Sequence, residues 1–145
     1  MTVAINGDDL AKKLQDACES TIISSSREAV TVDSKQLYKV AEYLKNTKGF
    51  EFDYLTFATA VDYINHFEIV YRLVSLKHNH SLILKTRCTR EAPVVPSLTP
   101  LWRAAYYQER EIFDLFGIKF EGHPDLRRLL MWEGFEGYPL RRDYL

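Results

Sequence analysis

The sequence predicts an α+β fold: an antiparallel sheet with helices packed on one face, followed by an irregular extended C-terminal arm. Three observations predict it. Helical periodicity comes early, before residue 50. Alternating apolar and polar positions joined by short links follow over residues 52–87. Beyond Gly117, glycines and prolines interrupt the chain too often for another packed layer. A length of 145 residues favours one structural unit. Within it, residues 1–92 read as the α+β part, and residues 93–145 as a connector, a short helix and a partner-docking arm.

The elements follow in order. Asn6-Gly7-Asp8-Asp9 offers turn chemistry and an N-cap, and Leu10, Leu14 and Ala17 recur at helical spacing, so residues 8–19 read as an amphipathic helix. Thr21-Ile22-Ile23 and Ala29-Val30-Thr31-Val32 read as short strands around the polar turn Ser24 to Arg27. Asp33 or Ser34 caps a second helix with Leu37, Val40, Ala41 and Leu44 on its apolar face, ended by Gly49. Strands are expected over 52–58, 66–76 and 81–87, the last two joined by a turn at His78-Asn79-His80. Their short links favour antiparallel pairing. Pro93, Pro96 and Pro100 mark a connector that is neither a central strand nor a helix interior. Leu101 to Asp114 resumes helical character, in one piece or two, and Gly117 stops it.

Composition excludes several function classes. With a net charge of −1, no bulk attraction to nucleic acid or anionic lipid is expected, and the aromatics are not interleaved with basic clusters. No apolar run approaches the ~20 residues that span a bilayer. The stretch from Met1 to Leu14 does not read as a signal peptide. Cys18 and Cys88 stand alone and are expected as buried reduced thiols. Phosphate-binding glycine motifs and iron–sulfur cysteine sets are missing from the sequence. Zinc held by His66, His78, His80 and His123 is a weak alternative to solvent-facing turn histidines. Glu109 and Glu111, two apart on a helix, diverge and read as solvated or salt-bridged charges rather than a general acid/base pair.

The segment 109–144 is different. Ile112, Phe113, Leu115 and Phe116 make its helix apolar on more than one side, so it needs cover on more than one side. Phe120, Leu126, Leu129, Leu130, Met131, Trp132 and Phe135 then recur in a stretch too broken to form its own core. Either the arm docks on a partner or it folds back onto its own domain. Its aromatics and its pairs Arg127-Arg128 and Arg141-Arg142 match the composition of interface hot spots.

Glu109-Arg110-Glu111-Ile112-Phe113-Asp114-Leu115-Phe116-Gly117, Gly122-His123-Pro124, Leu126-Arg127-Arg128 and Pro139-Leu140-Arg141-Arg142-Asp143-Tyr144 closely resemble the signature of the C-subunit family of respiratory complex I, the proton-pumping NADH:quinone oxidoreductase. The resemblance is strong over the last third of the chain; residues 1–92 are compatible with that family without identifying it. It implies a protein with no cofactor of its own in the hydrophilic arm of such a complex. Its partners would be the large quinone-site D-subunit and the iron–sulfur subunits B and I, with the iron–sulfur clusters and quinone held by those partners. The chain would lie peripherally at the cytoplasmic face of the cell membrane, attached through partners only. The equivalent subunit of a related membrane-bound hydrogenase or ferredoxin-linked reductase is the alternative.

Carried onto this sequence, the resemblance implies an interface made of Glu109, Arg110, Glu111, Asp114, Phe116, Phe120, His123, Arg127, Arg128, Trp132, Arg141, Arg142, Asp143 and Tyr144. Glu109, Arg110, Glu111 and Asp114 would form charge pairs. Phe116, Phe120 and Trp132 would anchor in apolar pockets, and the four arginines would reach partner carboxylates or carbonyls. His123 would fix the turn before Pro124. Gly117, Gly122, Pro124 and Pro139 would form turns.

Overall fold

Asn6 starts the first helix. Its side-chain oxygen accepts from the backbone N–H groups of Asp8 (2.9 Å) and Asp9 (3.3 Å), the bonds an N-cap makes. In the computed structural model, which describes residues 2–17 and 22–144, this helix, α1, spans Gly7–Ala17. Leu10, Ala11 and Leu14 are its buried side chains. Residues 18 and 19 of the expected helix, Cys18 among them, and Thr21 lie outside the described residues. Gly7 packs so closely on the carbonyls of Ser26 and Ala29 that a Cβ would collide with both.

Among the described residues the main sheet has six strands. These are β1 (Val3–Ala4), β2 (Ile22–Ser25), β3 (Ala29–Val32), β4 (Tyr54–Asp62), β5 (His66–Ser75) and β6 (His80–Thr89). The order is β2-β3-β6-β5-β4, with β1 beside β6. The α+β reading holds. Short links make β4, β5 and β6 antiparallel, as expected. The sheet is mostly antiparallel, and β1 and β3 both run parallel to β6. A helix intervenes between β3 and β4, and such a crossover allows the chain to return in the same direction. That helix, α2 (Leu37–Asn46), follows a 3₁₀ turn capped by Asp33, whose carboxylate accepts from the Lys35 N–H at 3.0 Å. It ends at Asn46, earlier than the expected stop at Gly49.

β4 starts later and runs further than the sequence suggested. Leu55 opposes Leu73 and Ala58 opposes Tyr71, with a bulge between Leu55 and Phe57. One extra residue, Thr56, shifts the alternation of β4 against β5 at that point. Leu73, Tyr71, Ile69 and Phe67 of β5 face the same side as Leu82 and Leu84 of β6 and Val30 and Val32 of β3. All eight are buried. The helices cover that side, and they share one hydrophobic cluster with it.

The proline segment is more than a connector. Val94–Pro96 is a strand, β7, paired in parallel with β8 (Lys119–Glu121), and α3 (Ala105–Phe116) crosses between them. A two-stranded sheet leaves each strand an open edge, so Pro96 is tolerated. Val95 and Phe120 enter the core from this pair. Turns precede α3, which is a single helix. Gly117 ends it in the left-handed region at φ 77°. A Cβ there would also strike the Tyr138 ring and the Arg141 guanidinium. Cys88 is a free, buried thiol, and burial pushes its pKa up to about 11. No helix among the described residues is long and apolar enough to cross a membrane.

Candidate functional site

The site is built around two faces of α3. Ala105, Glu109, Ile112 and Phe116 recur at helical spacing, and all four are buried against the sheet. Glu109 is therefore a carboxylate in an apolar stripe. Its Oε1 accepts from the Ser97 hydroxyl (2.8 Å), the Leu98 N–H (3.1 Å) and the Thr99 hydroxyl (3.2 Å). Burial raises its pKa to about 7 despite these bonds, which favour the charged form. The reading of Glu109 as a solvated or salt-bridged charge is corrected: it is buried, and hydroxyls and a peptide N–H bind it. Below it, the Tyr71 phenol is fully buried and has no hydrogen-bond partner among the described residues. Burial first, and the Glu109 charge second, raise its pKa. Glu111, by contrast, is exposed.

The second face of α3 holds the arm. Asp114 is wholly buried, and its Oδ2 accepts from three successive N–H groups: Leu129 (3.2 Å), Leu130 (2.7 Å) and Met131 (2.9 Å). Arg110 donates from Nε to the Arg127 carbonyl and from Nη2 to the Arg128 carbonyl, each at 3.1 Å. Arg128 lies between the Phe135 and Tyr138 rings, donates to the Gly137 carbonyl at 2.8 Å and approaches Asp114 at 3.5 Å. Further along, Arg141 sits over Phe67 and Tyr138 and donates to the Phe116 carbonyl. The Leu140 N–H reaches the Leu115 carbonyl beside Pro139.

His123 accepts from the Asp125 N–H at Nδ1, so its Nε2 carries the proton and donates to the Tyr106 carbonyl at 2.9 Å. Those bonds tie the Gly122-His123-Pro124 turn to the start of α3. Asp125 accepts from the Tyr106 phenol and from Arg127.

The expected interface residues thus divide. Glu109, Arg110, Asp114, Arg128 and Arg141 point inward and organise the chain itself. Phe116 and Phe120 were expected to anchor in a partner; they instead complete this chain's own core, Phe116 edge-on to Phe67. Arg127, Trp132, Arg142, Asp143 and Tyr144 point outward. Trp132 is 69% exposed and Leu130 is 58% exposed. Fold-back and presentation to solvent coexist: the arm's backbone is fixed to the domain, while a row of its apolar side chains is left uncovered.

Sequence reasoning missed Asp62 and Arg90. Asp62 is buried at the end of β4, pairs with Arg90, and accepts from the Arg142 N–H at 2.8 Å. The Arg90 guanidinium beside it holds its carboxyl well below the usual carboxylate range. No local pattern marks either residue, since each acts across the fold. The four histidines make different hydrogen bonds: His66 with Asn65, His78 with Glu51, His80 with the Phe50 carbonyl, and His123 as above; the His78 and His80 rings stack on each other. Among the described residues, no group of three or more His, Cys, Asp or Glu could hold a metal ion.

A sequence model of the respiratory-chain NADH dehydrogenase 30 kDa subunit matches residues 30–145. The NADH-quinone oxidoreductase C-subunit 2 of Rhizobium meliloti is 45% identical over 119 residues, 80% of this chain and 65% of that one. This chain thus spans just under two thirds of that relative's length. The NADH-quinone oxidoreductase C-subunit of Roseiflexus castenholzii is 38% identical over 148 residues, 97% of this chain and 85% of that one. Among solved structures, a trypsin-resistant fragment (1-134) of Nqo5 superposes with a TM-score of 0.64 at 28% identity, covering 82% of this chain and 98% of the fragment.

Proposed function

The chain belongs to the respiratory-chain NADH dehydrogenase 30 kDa subunit family, and from that premise we propose that it is a cofactor-free structural subunit of a complex I-like donor:quinone oxidoreductase coupled to proton translocation. It docks through its C-terminal arm onto the large quinone-site subunit, beside the iron–sulfur subunits, and reaches the cytoplasmic face of the membrane only through them. Its contribution is rigidity. Redox centres and a quinone cavity in neighbouring subunits work only in fixed geometry, and supporting contacts supply it.

One observation carries this reading. Carboxylates on the folded domain clamp the arm's backbone, and that clamp displays Leu129, Leu130, Trp132 and Leu140 to solvent. A chain that needed the arm only for its own stability would bury those side chains. Exposed apolar side chains clustered beside arginines are the anatomy of a docking surface.

The test is to tag the full chain in its own host, solubilise the membranes gently, and identify the co-purifying subunits and metals. Iron-rich, nickel-free subunits with quinone reductase activity are expected. Nickel in the large partner would move the chain to the hydrogenase branch. Recovery of the chain alone would end the docking reading.

A further inference from the structure

One carboxylate at the end of β4 holds two separate segments. Asp62 accepts from the Ile64 N–H through Oδ1 and from the Arg142 N–H through Oδ2, both at 2.8 Å. Arg90 closes the corner, donating to Asp62 and pairing with Asp143 at 3.1 Å. The β4–β5 turn and the end of the arm therefore form one edge with a fixed relative position.

At that turn Ile64 has φ 76°. A β-branched side chain is among the least suited to the left-handed region, whereas asparagine tolerates it. The sequence nevertheless puts isoleucine there and asparagine one position later. Packing among the described residues does not offset this choice: Ile64 is 63% exposed, and its neighbour Tyr63, stacked on His66, is still 46% exposed. Strain that a fold does not need points to a use for the side chain. Beside the pair, the Arg142 side chain is exposed and has no ion-pair partner among the described residues. Asp62 is buried in its pair with Arg90, and Asp143 gives Arg90 its Oδ1.

We propose that the β4–β5 turn is the second half of the docking surface, with Tyr63 and Ile64 seated in an apolar pocket of a partner protein whose rim supplies a carboxylate to Arg142. This rests on the docking reading above and extends it from the arm onto the sheet. The charge pattern selects the occupant. A second copy meeting this edge through a two-fold axis would bring carboxylates that already serve Arg90, so Arg142 would compete with that arginine for them, whereas a different protein can supply a carboxylate of its own. One unmatched arginine is also far from the cluster of basic residues that binds anionic lipid.

The experiment compares two full-length tagged variants, Ile64→Asn and Trp132→Ala, in a host lacking its own copy of the chain. Asparagine accepts the backbone conformation, so purified Ile64→Asn should melt at or above the parental temperature. The partner subunits recovered with it should fall about five- to tenfold, as for loss of an interface anchor. Parental recovery with Ile64→Asn but loss with Trp132→Ala overturns the turn proposal and leaves the arm docking intact. Parental recovery with both removes the docking reading itself. A lower melting temperature for Ile64→Asn also overturns the proposal, because the side chain would then serve this chain's own fold. Recovery of a second copy in place of other subunits does the same.

Discussion

The sheet-and-helix unit and the C-terminal arm are held by different forces. In the first, Leu37, Leu44, Phe67, Tyr71 and Leu84 are wholly buried among many apolar neighbours. In the second, a few directional bonds fix the backbone: three N–H groups on Asp114, one on Asp62, and carbonyls on Arg110, Arg128 and Arg141. Apolar burial is spread over many contacts and non-directional. Carboxylate–amide bonds are concentrated and geometrically strict. The arm can therefore keep its apolar side chains outward and still hold a definite shape, which the hydrophobic effect alone would not allow.

The largest break should come from the core. Phe67→Ala removes a wholly buried ring that meets Phe116 and lies beneath both Arg90 and Arg141. It should cost about 3–5 kcal/mol in urea unfolding and loosen the arm as well. Retained stability would mean that the arm and core are not coupled there.

A smaller effect should depend on pH. The folded pKa of Glu109 lies above its ordinary value of 4.5, at about 7. Its proton is thus held more tightly in the folded state. That contribution to stability is complete below about pH 4.5 and is lost as pH rises towards 7 and beyond. Glu109→Gln carries no such proton. The variant should gain on the parent by on the order of 3 kcal/mol between pH 4.5 and 8. A pH-independent difference would show that Glu109 does not titrate in this range.

Next comes the clamp. Asp114→Asn weakens three charge-assisted bonds to residues 129–131 and should cost about 2 kcal/mol. Amide exchange should accelerate in the arm, while the protection of β5 and β6 is kept. Uniform acceleration would contradict the division into two regions. The smallest effect on the isolated chain should come from Trp132→Ala, within about 0.5 kcal/mol of the parent. The same variant should nevertheless lower recovery of the membrane complex, because that exposed indole would then be part of the docking surface.

Local chemistry was legible before the structure. The Asn6 cap, the Leu37/Val40/Ala41/Leu44 face, the β5–β6 hairpin and the Gly117 stop all follow from neighbours close in sequence. The resemblance carried by residues 109–144 was legible too, and the family match bears it out. The inward position of Glu109 could have been read from the 105/109/112/116 spacing, but its charge masked the pattern. The parallel placement of β3 against β6 and the β7–β8 pair could not, since each depends on a helix carrying the chain back beside a distant strand.

The sequence by itself determined the class of fold, the order of most elements and the family. Periodicity, caps and a dense motif are properties of adjacent residues, and they survive without coordinates. Only the tertiary structure decided which charges serve the chain and which face outward. Arg127 and Arg128 are neighbours in sequence, yet one lies in solvent and the other is stacked between two rings. Arg141 and Arg142 divide in the same way. That choice depends on where Asp114, Phe67 and Asp62 stand, the first on the preceding helix and the other two far back in the sheet, and only the folded chain brings them together.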